Sequence, residues 1–169
     1  MPTPTFKGKP VPLAGTFPTV GSSAPAFCLT RGDLSTATLA TYSDRVLILS
    51  VFPSIDTGTC ATSVRKFNQE AAALSGVRIL AISADLPFAQ GRFCAAEGIK
   101  AVETLSAFRS PNFGRDYGLL VAEGPMAGLL TRAVLVLDAQ RKIVHAELVA
   151  EITREPDYAA ALAAARTGG

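Results

Sequence analysis

The run VLILSVF, Val46 to Phe52, constrains the fold more than any other stretch of the chain. It is apolar but for one serine, so it has no face to give to water and reads as a strand buried on both sides of a parallel sheet. Pro53 lacks the N–H that a ladder needs, and the strand stops there. Beyond it, Val64, Phe67, Ala71 and Leu74 recur every three or four residues, with Arg65, Lys66, Gln69 and Glu70 on the other side. That spacing predicts an amphipathic helix ended by Gly76, and Cys60 extends its apolar stripe one turn back. VRILAIS, Val77 to Ser83, repeats the buried-strand pattern. Asp85 and Pro87 then predict the start of a second helix, which runs to Gly98 and carries Cys94.

The next stretch, ETLSAFRSPNFGRDYGLL, is less regular and reads as a short strand, a loop and a short helix. RAVLVLD and KIVHAELV read as two strands joined by AQR in a hairpin, after which Pro156 opens a last helix through PDYAAALAAAR. The first forty residues are rich in Pro, Gly, Ser and Thr, with short β-type runs in PTFKG and FCLT. They predict an N-terminal β-hairpin and an extended arm. A βαβ unit followed by a helix, a hairpin and a closing helix is the order of the thioredoxin fold. The expectation is an α/β protein: a central mixed sheet flanked by helices, with the last two strands antiparallel at one side. A length of 169 residues fits one such domain, spanning 1–169.

Composition removes several functions. Hydrophobic residues make up 49% and charged residues 18%, which suits a soluble globular chain. No apolar run approaches the about 20 residues of a membrane span. The net charge of +2 comes from scattered residues without a Lys/Arg run, which argues against nucleic acid as a partner. MPTPTFKGKPVPLAG has no continuous apolar segment of the secretory type, so a cytoplasmic location is expected. Three cysteines, Cys28, Cys60 and Cys94, do not make a disulfide framework, and any bridge among them should be transient. With one histidine they also fail to make a spaced metal-ligand set, so no metal is expected.

Chemistry concentrates after the first buried strand, in PSIDTGTC. Cys60 falls in the first turn of a helix at the carboxyl end of a strand, where α/β folds gather their sites. Unpaired N–H groups and the helix dipole there favour an anion, which makes the thiol reactive. Thr57 can cap the helix or donate to a bound oxygen, and Pro53 can shield the sulfur from water. Arg132, opening the first hairpin strand, is a fixed cation able to hold a thiolate and polarise an oxygen. Each has a plainer reading: a small buried hydrophobe, a turn residue, a strand terminator, a surface charge. Cys94 stands far beyond CxxC spacing from Cys60, so this is no thioredoxin-type dithiol. Cys28 reads as core packing within FCLT, and His145 as a strand residue rather than a base.

Pro53, Thr57 and Cys60 fit a PxxxTxxC pattern, and VFPSIDTGTCATSVRKFN resembles the bacterial thiol peroxidase subfamily of the peroxiredoxins. The resemblance continues through SADLPFAQGRFC, TLSAFR, GLLTRAVLVLD and EITREPDYAAALAA, nearly the whole chain. It implies a homodimer that reduces hydrogen peroxide and organic hydroperoxides without a cofactor. It makes Cys60 the peroxidatic nucleophile and Cys94 the resolving cysteine of an intramolecular disulfide. Pro53, Thr57 and Arg132 surround the peroxide, and thioredoxin serves as reductant. Two other readings stand beside it: a peroxide-responsive redox sensor using the same disulfide without turnover, and a structural protein with inert cysteines.

Overall fold

The computed structural model describes residues 3–43 and 45–168. Its N-terminal arm holds β1 (Thr5–Phe6), β2 (Lys9–Pro10), β3 (Leu13–Ala14), β4 (Cys28–Thr30) and β5 (Thr36–Thr38). The regular core follows as β6 (Val46–Val51), α1 (Gly58–Ala71), β7 (Val77–Ser83), α2 (Pro87–Glu97) and β8 (Val102–Ser106). It closes with α3 (Pro111–Asp116), β9 (Leu120–Val121), β10 (Ala133–Leu137), β11 (Ile143–Leu148) and α4 (Tyr158–Thr167).

Strands β6, β7 and β8 run parallel, joined by α1 and α2, and β10 and β11 pair antiparallel on the far side of β6. The sheet has seven strands in the order β11-β10-β6-β7-β8-β4-β5. The short strand read in ETLS is β8, which joins as a third parallel strand, and the arm extends the sheet beyond the core order by adding β4 and β5 at one edge. β1 and β2 form the expected hairpin, turning through Lys7 and Gly8 at φ of 52° and 79°. Two positive φ values match the right-handed twist of paired strands.

Every residue of β6 is buried, which explains its missing polar face. Val46 and Ile48 point to the layer of α1, α2 and α4, where they meet Val64, Phe67, Phe93, Ala161 and Leu162. Leu47, Leu49 and Val51 point to the opposite layer, made by the arm and α3 through Phe17, Phe27, Phe113 and Tyr117. The arm crosses α3 closely at Gly118, whose φ is 65° and whose place would drive a Cβ into the backbone of Thr16 and Phe17.

Several boundaries differ from the sequence reading. The first helix ends at Ala71, and Gly76, at φ 71°, sits instead at the entry to β7. Asp85 does not cap α2: the N-cap position is Leu86, and the carboxylate turns away from the helix. The last helix starts at Tyr158 with Asp157 as its cap, accepting from Ala160 N at 3.0 Å, so Pro156 precedes the helix rather than opening it. Cys28 is exposed rather than packed in the core. Its neighbour Leu29 takes the core-facing position, so Cys28, paired with Thr38 of β5, lies on the other face of the strand.

Candidate active site

At the end of β6 the chain turns through buried Pro53 into the loop Ser54–Thr57 and then into α1. Cys60 lies in the first turn of that helix and is 0% exposed, because the apolar stripe that carries it faces Phe52, Ile55 and Val64. Across the sheet, one residue before β10, stands Arg132, itself 2% exposed. Its Nε donates to Ile152 O at 2.9 Å, and its Nη2 donates to Cys60 Sγ at 3.0 Å.

A buried guanidinium is costly unless it is paired and hydrogen-bonded. Here the carbonyl of Ile152 fixes its plane, and the Cys60 sulfur accepts its second bond. A guanidinium donor bonds a sulfur most strongly when the sulfur is ionised. Arg132 Nη1 is buried and has no partner among the described residues. That leaves one fixed, charged donor beside the sulfur with its hydrogen-bonding capacity unused.

Arg132 also lines a cavity of about 240 Å³ together with Phe6, Pro53, Thr57, Met126 and Leu129. Its walls are mostly apolar, with the arginine as the charged group among them. Thr57 occupies the helix N-cap position at φ −102° and ψ 148°, but its side chain caps nothing. Its hydroxyl donates to Ser54 O at 3.0 Å, leaving its oxygen lone pairs toward other donors. The capping role is thus not the one it plays; Pro53, Thr57 and Arg132 line one cavity, and Arg132 also contacts Cys60.

Cys94 is in a different state. It is half-buried on α2, packed against the same apolar cluster that encloses Cys60. Burial pushes its thiol up from the ordinary value of 9.0, partly opposed by a hydrogen bond with Thr104. His145 sits on β11 opposite Val136, its Nε2 buried without a hydrogen-bond partner among the described residues.

Phe6, Met126, Leu129 and Ile152 line the cavity without having been singled out in the sequence. Three of them lie in loops or short strands without periodicity, and Ile152 falls within the EIT stretch, where only resemblance drew attention to it.

Comparison with known proteins gives this arrangement its class. The Redoxin family model matches residues 19–162, and the chain belongs to that family. It is 52% identical over 160 residues to the thiol peroxidases of Mycobacterium tuberculosis and Mycobacterium bovis, covering 95% of this chain and 96% of each relative. The structure of a peroxiredoxin-like protein from Aquifex aeolicus superposes with a TM-score of 0.93 at 37% identity, over 99% of this chain and 97% of that one. The thiol peroxidase from Chromobacterium violaceum, at 22% identity and a TM-score of 0.91 over 99% of this chain and 97% of that one, shares the fold. The fold is thus the peroxiredoxin form of the thioredoxin-like fold. The chain is an enzyme, a peroxidase of the peroxiredoxin type.

Proposed function

We propose that the chain, acting as one catalytic domain, reduces hydrogen peroxide and organic hydroperoxides with Cys60 as nucleophile and Cys94 as the residue that resets it. The observation that carries this reading is the 3.0 Å contact of the buried Arg132 guanidinium with Cys60 Sγ. The thiolate attacks the terminal peroxide oxygen in line with the O–O bond. That bond breaks, its electrons pass to the departing oxygen, and protonation releases water or an alcohol. Arg132 holds charge at both ends of the transfer: Nη2 on the sulfur, and the unpartnered Nη1 as a donor toward oxygen. A donor placed before reaction needs no reorganisation as charge develops. Pro53 and the apolar cavity wall keep water from the thiolate, and the Thr57 hydroxyl helps to orient the peroxide.

The product at Cys60 is a sulfenic acid, which condenses with the Cys94 thiol to form an intramolecular disulfide and one water. A dithiol then returns two electrons by exchange, and thioredoxin fits that need. Thiol-based recycling agrees with a cytoplasmic setting. A homodimer is the proposed assembly. Leu86, Phe88 and Phe108, 51%, 69% and 45% exposed, are large apolar side chains that a second copy can cover. The ends of β7 and β8, which lead into the segments carrying them, are joined by the bond from Ala107 N to Ser83 O at 2.9 Å.

The test is hydroperoxide consumption by Cys60→Ser and Cys94→Ser variants, with peptide mapping of the oxidised wild type. Cys60→Ser should lose consumption, and Cys94→Ser should consume one equivalent and stall. A bridge joining Cys28 to Cys94, or undiminished turnover without Cys60, would overturn the assignment.

A further inference from the structure

Three hydrogen bonds converge on the Asp85 carboxylate, at the junction of β7 and α2. Oδ1 accepts from Ser54 Oγ at 2.7 Å, and Oδ2 accepts from Ile55 N at 2.7 Å and from Ser83 Oγ at 2.6 Å. Ser54 and Ile55 belong to the loop that separates Pro53 from Cys60. Bonds to an ionised acceptor are roughly twice as strong as neutral ones. The loop is therefore tied by charge, and not only by packing, to a residue outside its own strand and helix.

The other end of the tie reaches α2. Ser83 Oγ also accepts from Gln90 Nε2 at 3.1 Å, and Gln90, fully buried, donates to Leu105 O at 2.9 Å. The Asp85 carbonyl in turn accepts from Ser106 Oγ at 2.5 Å. Leu86 at the N-cap position offers no side-chain cap to α2, so the root of that helix is held through these bonds. One connected path runs from the Cys60 loop through Asp85 and Ser83 to Gln90, one turn before Cys94.

We infer that Asp85 is a positioning residue that latches the Cys60 loop to the root of α2, keeping the peroxide-ready arrangement closed until Cys60 is oxidised. The inference rests on the roles proposed above for Cys60 and Cys94. In the closed arrangement Cys60 is sealed against Arg132 while Cys94 is packed against the apolar cluster, so both sulfurs are engaged elsewhere. A disulfide needs Cα atoms at about 4.4–6.8 Å and side chains turned toward each other. Reaching that geometry requires the loop or α2 to give, and the latch opposes both. Its effect on the two chemical steps is thus opposite: it favours peroxide attack and disfavours bridge formation.

The sign difference makes the test. Asp85→Ala removes all three acceptor contacts and leaves Ile55 N–H unpaired. Asp85→Asn keeps an acceptor for Ile55 while its amide donates to Ser54, whose hydroxyl can rotate to accept. In a Cys94→Ser background, rapid-quench mass spectrometry reads Cys60 oxidation alone. There Asp85→Ala should slow the step on the order of tenfold or more, as loss of alignment does, with Asp85→Asn between it and the parent. With Cys94 present, the same change should speed disulfide formation and lower overoxidation of Cys60 at high peroxide. Ser54→Ala, which removes one of the three carboxylate contacts together with the Asp56 N–H bond to Ser54 Oγ, should move both rates the same ways by less, and carries the test if Asp85→Ala fails to fold. Both rates unchanged, or both falling in proportion to the folded fraction measured by circular dichroism, would overturn the latch. Consumption persisting in Cys60→Ser would instead overturn the underlying assignment.

Discussion

Cys60 and Cys94 share one apolar cluster, yet their surroundings differ in kind. Cys60 is wholly enclosed and touches a buried cation; Cys94 is half-exposed and has its thiol pushed up by burial. The first environment sets a fixed charge against the sulfur, and the second favours a neutral thiol. On the proposed mechanism, Cys60 is thus the sulfur prepared for attack in the resting fold, while Cys94 becomes reactive when its helix loosens. A cysteine's location in a core says little about its chemistry until its charged neighbours are counted.

The comparison breaks most sharply at Arg132. Arg132→Met keeps volume but removes the charge, and should lower kcat/KM for hydroperoxide on the order of a hundred- to a thousandfold, the scale of losing a fixed donor at a developing charge. Arg132→Lys should recover only part, since a single ammonium cannot bond Ile152 O and the sulfur in the same fork. Steady-state kinetics of both variants checks this.

The second contrast is between accessible and buried thiols. Cys28 is exposed and should take up iodoacetamide at the rate of a free thiol, while Cys94 lags several-fold in the reduced protein at neutral pH. Because the folded state raises the Cys94 thiol above its ordinary 9.0, ionisation occurs first in the open form. Stability around α2 should therefore fall as pH rises through 9.0. Hydrogen exchange of residues 87–97 across that range reads the loss, and unchanged protection there would contradict it.

A weaker effect is expected at the cavity's outer wall. The Glu151 carboxylate accepts from Gly8 N at 2.9 Å, Thr5 Oγ1 at 3.0 Å and Thr153 N at 2.9 Å. It thereby ties the β1–β2 hairpin, with Phe6, to the segment that holds Arg132. The backbone bond to Thr153 leads in pulling its ionisation down to about 2 from the ordinary 4.5. A depressed carboxylate contributes fully above 4.5 and loses its contribution as pH falls through about 2. Proteolysis of residues 5–10 should rise in that acid window and, in Glu151→Gln, at neutral pH. Relative activity toward bulky hydroperoxides over hydrogen peroxide should shift in that variant by a few-fold.

Smallest of all is the surface pair of Arg92 on α2 with Asp56 in the Cys60 loop, 3.5 Å apart. It joins the same two segments as Asp85 but in water, where such pairs contribute about 0–1 kcal/mol. Arg92→Ala should leave thermal stability within about 1 kcal/mol and peroxide oxidation of Cys60 nearly unchanged. A large effect there would mean that the surface pair, rather than the carboxylate latch, couples loop to helix.

Much of the fold was legible because burial leaves marks in order along the chain. VLILSVF could only be a strand closed on both faces, and the stripe of Val64 and Phe67 could only be a helix packed on one side. Cys60 and Pro53 were legible for the same reason, since the end of such a strand is where a parallel sheet opens its site. Asp85 was legible as a residue that matters near a helix start, but its partners Ser54 and Ile55 are thirty residues away in sequence. Cys28 was misread because short-range pattern cannot tell a three-residue strand's outer face from its inner one. The cavity wall of Phe6, Met126 and Leu129 had no periodic signal at all.

By itself, then, the sequence determined the elements, their order and the place of Cys60 at a strand-to-helix junction, because hydrophobic period and chain-breaking residues act locally. Only the tertiary structure decided which charge faces which group: Arg132 on the sulfur of Cys60, and Asp85 on the loop that precedes it. Those contacts join segments distant along the chain, and folding alone brings them within hydrogen-bond reach.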